Sequence, residues 1–276
     1  NGTITEAQKQ QQLDVLRSYD AREQLLVYNY RKAMQQQYQT SVAGGTKTQK
    51  YFVSVGYNNN LNSVVNGSYQ RLTLNASNTY YFLDNKLELM SNIIYTGSKS
   101  KTGPSLSAVY PYSKFADMEG NPLVEARDLR PSYASTAGNG KLLPWLYRPL
   151  DEVRNGYGAT TSELTSYRLN FSLSYAVFKG LKVAAIYGFE KGLTDGNTLY
   201  ELESYFARNA INRLSQINAV SGAVTYPMPM GGILNNTMGE LRSHNGRVQA
   251  NYNHNWGNHS INALMGSEIK DQQKGL

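Results

Sequence analysis

The sequence predicts an all-β protein, in which about eight antiparallel strands form part of an up-and-down transmembrane β-barrel with long, partly helical loops. Three observations lead to this prediction. Apolar and polar side chains alternate along successive runs, short turns alternate with long connections, and aromatic residues stand beside the short turns. The alternation by itself also fits a soluble antiparallel sheet with one face in water, so the loop lengths decide between the two folds.

The alternation is clearest in the hairpin that spans residues 166–190. Successive side chains of a strand point to opposite faces, so residues two apart share a face. One face of the first strand is apolar and carries Tyr167, Leu169, Phe171, Leu173, Tyr175 and Val177. The other face is polar or small and carries Arg168, Asn170, Ser172, Ser174 and Ala176. Lys179-Gly180 predicts a tight turn into a second strand over residues 181–190.

Six further strands follow from the same two-residue period. We predict them at residues 37–43, 51–57, 69–82, 86–96, 245–256 and 259–270, with short turns at 46–48, 83–85 and 257–258. The connections in between are longer: a polar loop over 58–68, an irregular region over 97–161, and an insertion over 191–243 with a helix-like piece at 199–217.

The arrangement of these connections favours a membrane barrel over a soluble sheet. Long structureless loops are uncommon inside a compact domain. Short turns on one side and long loops on the other are typical of outer-membrane barrels. Phe82, Phe178 and Trp256 all stand beside short turns, which predicts one aromatic belt at a membrane interface.

The first 36 residues form a helical loop segment ahead of a partial barrel domain over residues 37–276. Thr5 and Gln8, and likewise Asp20 and Glu23, have the spacing of helix capping boxes. Both predicted helices are short and weakly amphipathic, so we expect them to pack on another part of the protein.

The composition fits the same fold. Only 40% of the 276 residues are hydrophobic and 17% are charged, below the ~45–50% and ~25% usual for globular domains. Tyrosines number 22 against 7 phenylalanines, and tyrosine suits places where one end is apolar and the other wet. The net charge of +7 is spread along the chain, which argues against a nucleic-acid partner.

Neither a transmembrane helix nor a signal peptide is visible in the sequence. No run of ~18 apolar residues occurs, and the start at Asn1 is neither basic nor apolar. We therefore expect a chain whose leader has been removed, or a piece of a longer chain.

Catalytic and metal-binding chemistry is not predicted. The chain has no cysteine, and its three histidines (His244, His254 and His259) lack carboxylates or thiolates at metal-ligand spacing. The pairs Asp117/Glu119 and Asp151/Glu152 have no partner base nearby in the sequence, so we interpret them as charged loop residues that are exposed to solvent. We expect a protein that is not an enzyme and that needs no cofactor.

The candidate ligand-binding residues lie in the long loop over 97–161. They are aromatic residues with one neighbouring arginine: Tyr110, Tyr112, Tyr133, Trp145, Tyr147 and Arg148. Exposed aromatic side chains stack on sugar rings or peptide side chains, and loops carry much of protein recognition. The alternative is that these residues pack the loops against each other or against a partner protein.

One stretch also carries a family resemblance. Residues 38–57, YQTSVAGGTKTQKYFVSVGY, resemble the start of the barrel in SusC/RagA-like TonB-dependent outer-membrane transporters. Residues 69–75, 245–252 and 261–268 resemble later strands of that family. The resemblance covers nearly the whole chain. It implies a 22-stranded barrel with a plugged lumen.

The resemblance further implies import of glycans or peptides, a SusD-like surface lipoprotein as a lid, and TonB as the energy source. This sequence contains neither a plug nor a TonB box, and eight strands leave two edges that lipid cannot satisfy. We therefore expect a segment of a multi-pass barrel wall in the bacterial outer membrane, in contact with its lipid. The alternatives are a passive outer-membrane channel and a soluble β-rich carbohydrate-binding module.

Overall fold

An eight-stranded antiparallel sheet dominates the computed structural model, which describes residues 4–107 and 110–275. The strands are β1 (Met34–Gly45), β2 (Gln49–Leu61), β3 (Ser68–Phe82), β4 (Leu87–Thr102), β5 (Thr160–Phe178), β6 (Leu181–Tyr200), β7 (Gln216–Ile217), β8 (Val224–Thr225), β9 (Ile233–Trp256) and β10 (His259–Gly275). The order in the large sheet is β1-β2-β3-β4-β5-β6-β9-β10, while β7 and β8 pair separately. Every large strand therefore pairs with the next one along the chain, which confirms the predicted up-and-down antiparallel fold.

Helices occur only between or before the large strands in the part of the chain that the structure describes. They are α1 (Glu6–Arg17), α2 (Ala21–Tyr28), α3 (Pro131–Ala134), α4 (Pro149–Asn155) and α5 (Tyr205–Leu214), with one 3₁₀ turn at Ala137–Gly140. Thr5 and Gln8 form the predicted capping box at the start of α1. None of these helices has the length and apolar character needed to cross a membrane.

Several strands run beyond the ends that the sequence predicts. β2 continues to Leu61, β4 continues to Thr102, and β5 begins at Thr160. β6 continues to Tyr200 and β9 begins at Ile233, so the helix predicted at 199–217 is confined to Tyr205–Leu214. These extensions are largely polar, with scattered apolar side chains such as Leu193 and Met238, and backbone pairing holds them without the regular apolar alternation on which the prediction relied. The two long connections consequently shorten to residues 103–159 and 201–232.

The short turns all lie at one end of the sheet, as predicted. They connect β1 to β2, β3 to β4, β5 to β6, and β9 to β10. Gly180 has a φ of +99° in the two-residue turn after β5, a conformation that favours glycine. The connection over 62–67 and both long connections lie at the opposite end, because antiparallel strands alternate in direction.

The register sorts side chains onto two different faces. Across β1 to β5, directly paired residues form an apolar row of Val42, Val53, Ala76, Ile93 and Leu169. Val42 is 62% exposed, Ile93 49%, and Leu173 of the same face 47%. In a soluble sheet this face would pack on a core. Here it is the uncovered face.

The opposite face of the sheet is polar and hydrogen-bonded. Asn92 donates from Nδ2 to Oδ1 of Asn75 over 2.7 Å, which joins β4 to β3. Arg168 of β5 forms a 2.9 Å ion pair with Glu190 of β6. Polar side chains therefore link the strands on the face that would line a barrel lumen.

The buried apolar residues lie mainly in the long connections. One cluster contains Leu106, Phe115, Ala116, Leu150 and Val153, and a second contains Ala134, Trp145 and Tyr205. Leu25 and Tyr28 of α2 pack against the first cluster, whereas α1 buries no residue. The prediction that the early helices pack on another segment is thus confirmed for α2. We call residues 103–107, 110–159 and 201–232 the loop cap.

Candidate functional site

The two long connections interlock in the loop cap. The indole Nε1 of Trp145 donates to Oδ1 of Asn209 over 2.9 Å. The amide of Asn212 accepts from the backbone N–H of Leu143 over 3.0 Å and donates to the carbonyl oxygen of Leu143 over 2.9 Å. Lys141 donates to the carbonyl oxygen of Gly222 over 2.7 Å. Residues far apart in sequence therefore form one body above the sheet.

Glu152 joins the same two connections at the start of α5. Its Oε1 accepts from the backbone N–H of Tyr205 over 2.8 Å and lies 3.8 Å from Nη2 of Arg208. Burial raises the pKa of this carboxyl group, while the hydrogen bond from Tyr205 and the charge of Arg208 oppose the rise. A carboxylate at a helix N-terminus is stabilised by the free N–H groups there. Glu152 thereby fixes α4 against α5.

A cleft of about 440 Å³ opens in the loop cap beside this contact. Its lining is rich in aromatic side chains and includes Arg127, Asp128, Tyr147, Glu152, Tyr157, Tyr200, Tyr205, Phe206 and Asn209. The Cζ atom of Arg127 lies 4.8 Å from the ring centroid of Tyr147 and 5.5 Å from that of Tyr205. The Tyr205 hydroxyl donates to the Arg127 carbonyl oxygen over 3.0 Å. Burial raises the pKa of this Tyr205 hydroxyl to about 12.

The structure distributes the six sequence-predicted residues over several places. Tyr110 and Tyr112 stack on each other at 5.3 Å and are exposed, away from the cleft. The ring centroid of Tyr133 lies 6.5 Å from that of Trp145. Trp145 is only 8% exposed and has little surface left for a ligand. Arg148, which is exposed, lines a neighbouring depression with Asp151 and Glu203, and this depression shares Glu152 and Tyr157 with the aromatic cleft.

Tyr147 is the one predicted residue that lines the aromatic cleft. Sequence reasoning missed Arg127, Tyr200, Tyr205 and Phe206. The signal available for them was weak, because they come from separate segments that only folding brings together. A role of the six residues in ligand binding remains a prediction.

Aromatic side chains also mark two levels on the apolar face of the sheet. Phe82, Phe178 and Trp256 are exposed at the short-turn end, as the sequence predicts. A second level is marked by Tyr95 and Tyr167, whose rings pair at 5.3 Å across β4 and β5. With 3.3 Å per residue and a tilt of ~40°, the eleven steps from Tyr167 to Phe178 span ~28 Å along the membrane normal.

This spacing is close to the ~25 Å apolar band of outer-membrane barrels. β5 extends for seven more residues beyond Tyr167, up to Thr160. The loop cap follows these extensions, so the sheet holds it clear of the apolar band.

Comparison with known proteins gives no match to a family model and no match to a curated protein sequence. Solved structures do match. A RagAB peptide importer in its closed-closed state has a TM-score of 0.61 at 14% identity, with 91% of this chain and 26% of that chain covered. A RagAB peptide transporter has a TM-score of 0.64 at 15% identity, with 100% of this chain and 32% of that chain covered.

The fold of this chain is therefore that of a part of the RagAB structures. The resemblance predicted from residues 38–57 is thereby confirmed at the level of the fold. The chain spans about a quarter to a third of the length of the solved structures it matches. Those structures are of a peptide importer and a peptide transporter.

Proposed function

We propose that this chain is part of the barrel wall of a TonB-dependent transporter that imports glycans or peptides across the bacterial outer membrane. A SusD-like surface lipoprotein is the proposed partner on the loop-cap side. TonB acts from the other side through a part of the protein outside this chain. The single observation that carries the proposal is the uncovered apolar face of the sheet between two aromatic levels.

The physical reason is the cost of leaving that face in water. Large apolar side chains lie on all eight strands, and a soluble carbohydrate-binding module would have to cover them. Lipid covers such a face without further protein. The edge strands β1 and β10 each pair on one side only in the described chain, and lipid cannot satisfy their other backbone groups. The proposal therefore includes further strands on both edges.

The similar solved structures support a peptide as one class of cargo, because RagAB is a peptide importer. They also support a two-component assembly. A passive channel would share the barrel wall but would conduct without TonB, so the TonB dependence of uptake separates the two functions.

The orientation of the faces is testable by placing an arginine on each. Leu173 lies about midway between Phe178 and Tyr167 on the apolar face, where an arginine costs ~2–4 kcal/mol in a barrel. We expect Leu173→Arg in the complete transporter to reduce the amount of folded, heat-modifiable barrel in outer-membrane fractions. Ser172→Arg is the matched control, because Ser172 is the adjacent residue and its side chain lies on the other face of the sheet. Its cross-strand neighbours there are Met90 and Ile186.

If the two variants lose the same amount of folded barrel, the assignment of the apolar face to lipid is refuted, and so is the proposal that the sheet lies in a membrane. If the faces are confirmed, uptake of a labelled peptide or glycan in cells with and without TonB follows. Uptake that is unchanged without TonB would favour the passive channel.

A further inference from the structure

Arg127 is held in one orientation by the aromatic rings around it. Tyr147 and Tyr205 lie 5.0 Å apart between centroids, and the guanidinium lies within 5.5 Å of both. The next residue, Asp128, has a φ of +56°, an uncommon conformation for a residue with a side chain. The backbone turn is tightened by the Leu129 N–H, which donates to the Arg127 carbonyl oxygen over 2.5 Å. Both the backbone and the side chain of Arg127 are thus pre-positioned.

The guanidinium group remains accessible to a ligand in this position. Its side chain is exposed, and no carboxylate of residues 4–107 and 110–275 forms an ion pair with it. The two acidic side chains of the cleft already have partners. Asp128 Oδ2 lies 3.2 Å from the Tyr205 hydroxyl oxygen, which shares its single hydrogen between this carboxylate and the Arg127 carbonyl oxygen, and Glu152 accepts from the Tyr205 N–H and lies beside Arg208. Arg127 is therefore a charged group of the cleft that forms no ion pair within the described residues, and its charge acts on Glu152 only at longer range.

The rest of the cleft offers flat apolar surface next to that charge. Tyr200 and Phe206 stack at a centroid distance of 4.1 Å, and both line the cleft together with Tyr157. Such surfaces accept a sugar ring or a peptide side chain by stacking. A planar guanidinium matches a carboxylate with two parallel hydrogen bonds, which is the geometry that arginine recognises best.

We propose that the aromatic cleft binds a carboxylate group of the transported ligand through Arg127, with the body of the ligand on Tyr157, Tyr200 and Phe206. This inference rests on the proposed transport function and specifies that the transported ligand is negatively charged. An acidic peptide and a uronic-acid glycan both present this carboxylate, and a binding experiment distinguishes them.

The test is calorimetric titration of the complete, detergent-purified transporter with four probes in two matched pairs. Hexaglutamate is compared with hexaglutamine, and trigalacturonic acid with its methyl ester. Hydrogen bonds to charged groups contribute enough for about a 10- to 100-fold difference in Kd within the pair that binds. The pair that shows this difference identifies the source of the carboxylate. This comparison uses the unaltered protein, so it does not depend on the folding of a variant.

Two substitutions then assign the difference to Arg127. We expect Arg127→Gln to remove the preference for the acidic probe, and Arg127→Lys to keep part of it. Arg130→Gln is the control, because Arg130 is exposed in the same connection and does not line the cleft. The inference is overturned if neither acidic probe binds, if neutral probes bind equally well, or if Arg127→Gln keeps the full preference.

The membrane test of the proposed function is independent of this result. If the unaltered transporter shows no preference for the acidic probes but takes up a neutral ligand in a TonB-dependent way, the carboxylate site in the cleft is refuted and the transporter is not. Failure of the unaltered protein to insert in the outer membrane would refute the transporter, whatever the probes bind.

Discussion

Asn212 gives the sharpest test of the interlocked loop cap. Its side chain is 3% exposed and makes both of its hydrogen bonds with the backbone of Leu143, one in each direction. Asn212→Ala removes both bonds at once. The N–H and carbonyl groups of Leu143 then lose their partners in a part-buried position.

The cost follows from these two groups. A buried polar group without a partner costs about 1–3 kcal/mol, so the two together cost about 2–6 kcal/mol. The loss falls on the contact between the two long connections, because the strand ladders do not involve Asn212. The lower limit of about 2 kcal/mol corresponds to local opening that is at least ~30-fold more frequent.

Hydrogen exchange with mass-spectrometric readout on the complete protein measures that opening directly. We expect peptides that cover residues 141–147 and helix α5 to exchange faster in Asn212→Ala, with strand peptides unchanged. Arg213→Ala is the matched control, since Arg213 is the next residue of α5 and is exposed. Unchanged exchange over residues 141–147, or equal acceleration in Arg213→Ala, would contradict the interlock.

Two further predictions concern the cleft. Gly158→Ala should weaken the binding of the probes to the cleft, because a Cβ atom at this residue would lie 2.6 Å from Cε1 of Tyr200. Gly156 has a similar φ, but a Cβ atom there would meet no other atom within 4 Å, so Gly156→Ala should bind the probes normally in the same titration. Burial raises the pKa of Glu152, so the stability it contributes is full at low pH and is lost as pH rises through the raised pKa. The urea midpoint of the loop cap, followed by pulse-labelled hydrogen exchange over residues 141–147 of the complete protein, should therefore rise from pH 7 to pH 5. Glu152→Gln should flatten this dependence, and an unchanged slope would show that other groups cause it.

The sheet was predictable from sequence wherever one face is apolar. The alternation from Tyr167 to Val177 and the turn at Gly180 give β5 and its pairing with β6 directly. The extensions over 97–102 and 191–200 were missed because both of their faces are largely polar. Their pairing is held by backbone bonds and by contacts such as Thr160 with Thr198, whose hydroxyl oxygens lie 2.7 Å apart. Such contacts become visible only when the partner strand is known.

The cleft was less predictable than the sheet, for a related reason. An aromatic count finds Tyr147, but it gives the same weight to Trp145, which the fold buries against Asn209. Arg127 had no distinguishing neighbour in sequence. Its significance comes from Tyr147 and Tyr205, which lie 20 and 78 residues further along the chain.

The location of the core implies that the two halves of the protein have different sources of stability. The buried apolar clusters lie in the loop cap, whereas the sheet buries only small residues, namely Ser174, Ala184, Gly192 and Ser243, within the described chain. The sheet is therefore stabilised by the backbone hydrogen bonds between its strands and by the lipid that we propose covers its apolar face. The loop cap is stabilised by its own buried apolar side chains. Cap substitutions should accordingly change ligand binding without changing membrane insertion, and face substitutions such as Leu173→Arg should do the reverse. This separation lets one fold keep a constant membrane wall while the recognition surface above it varies.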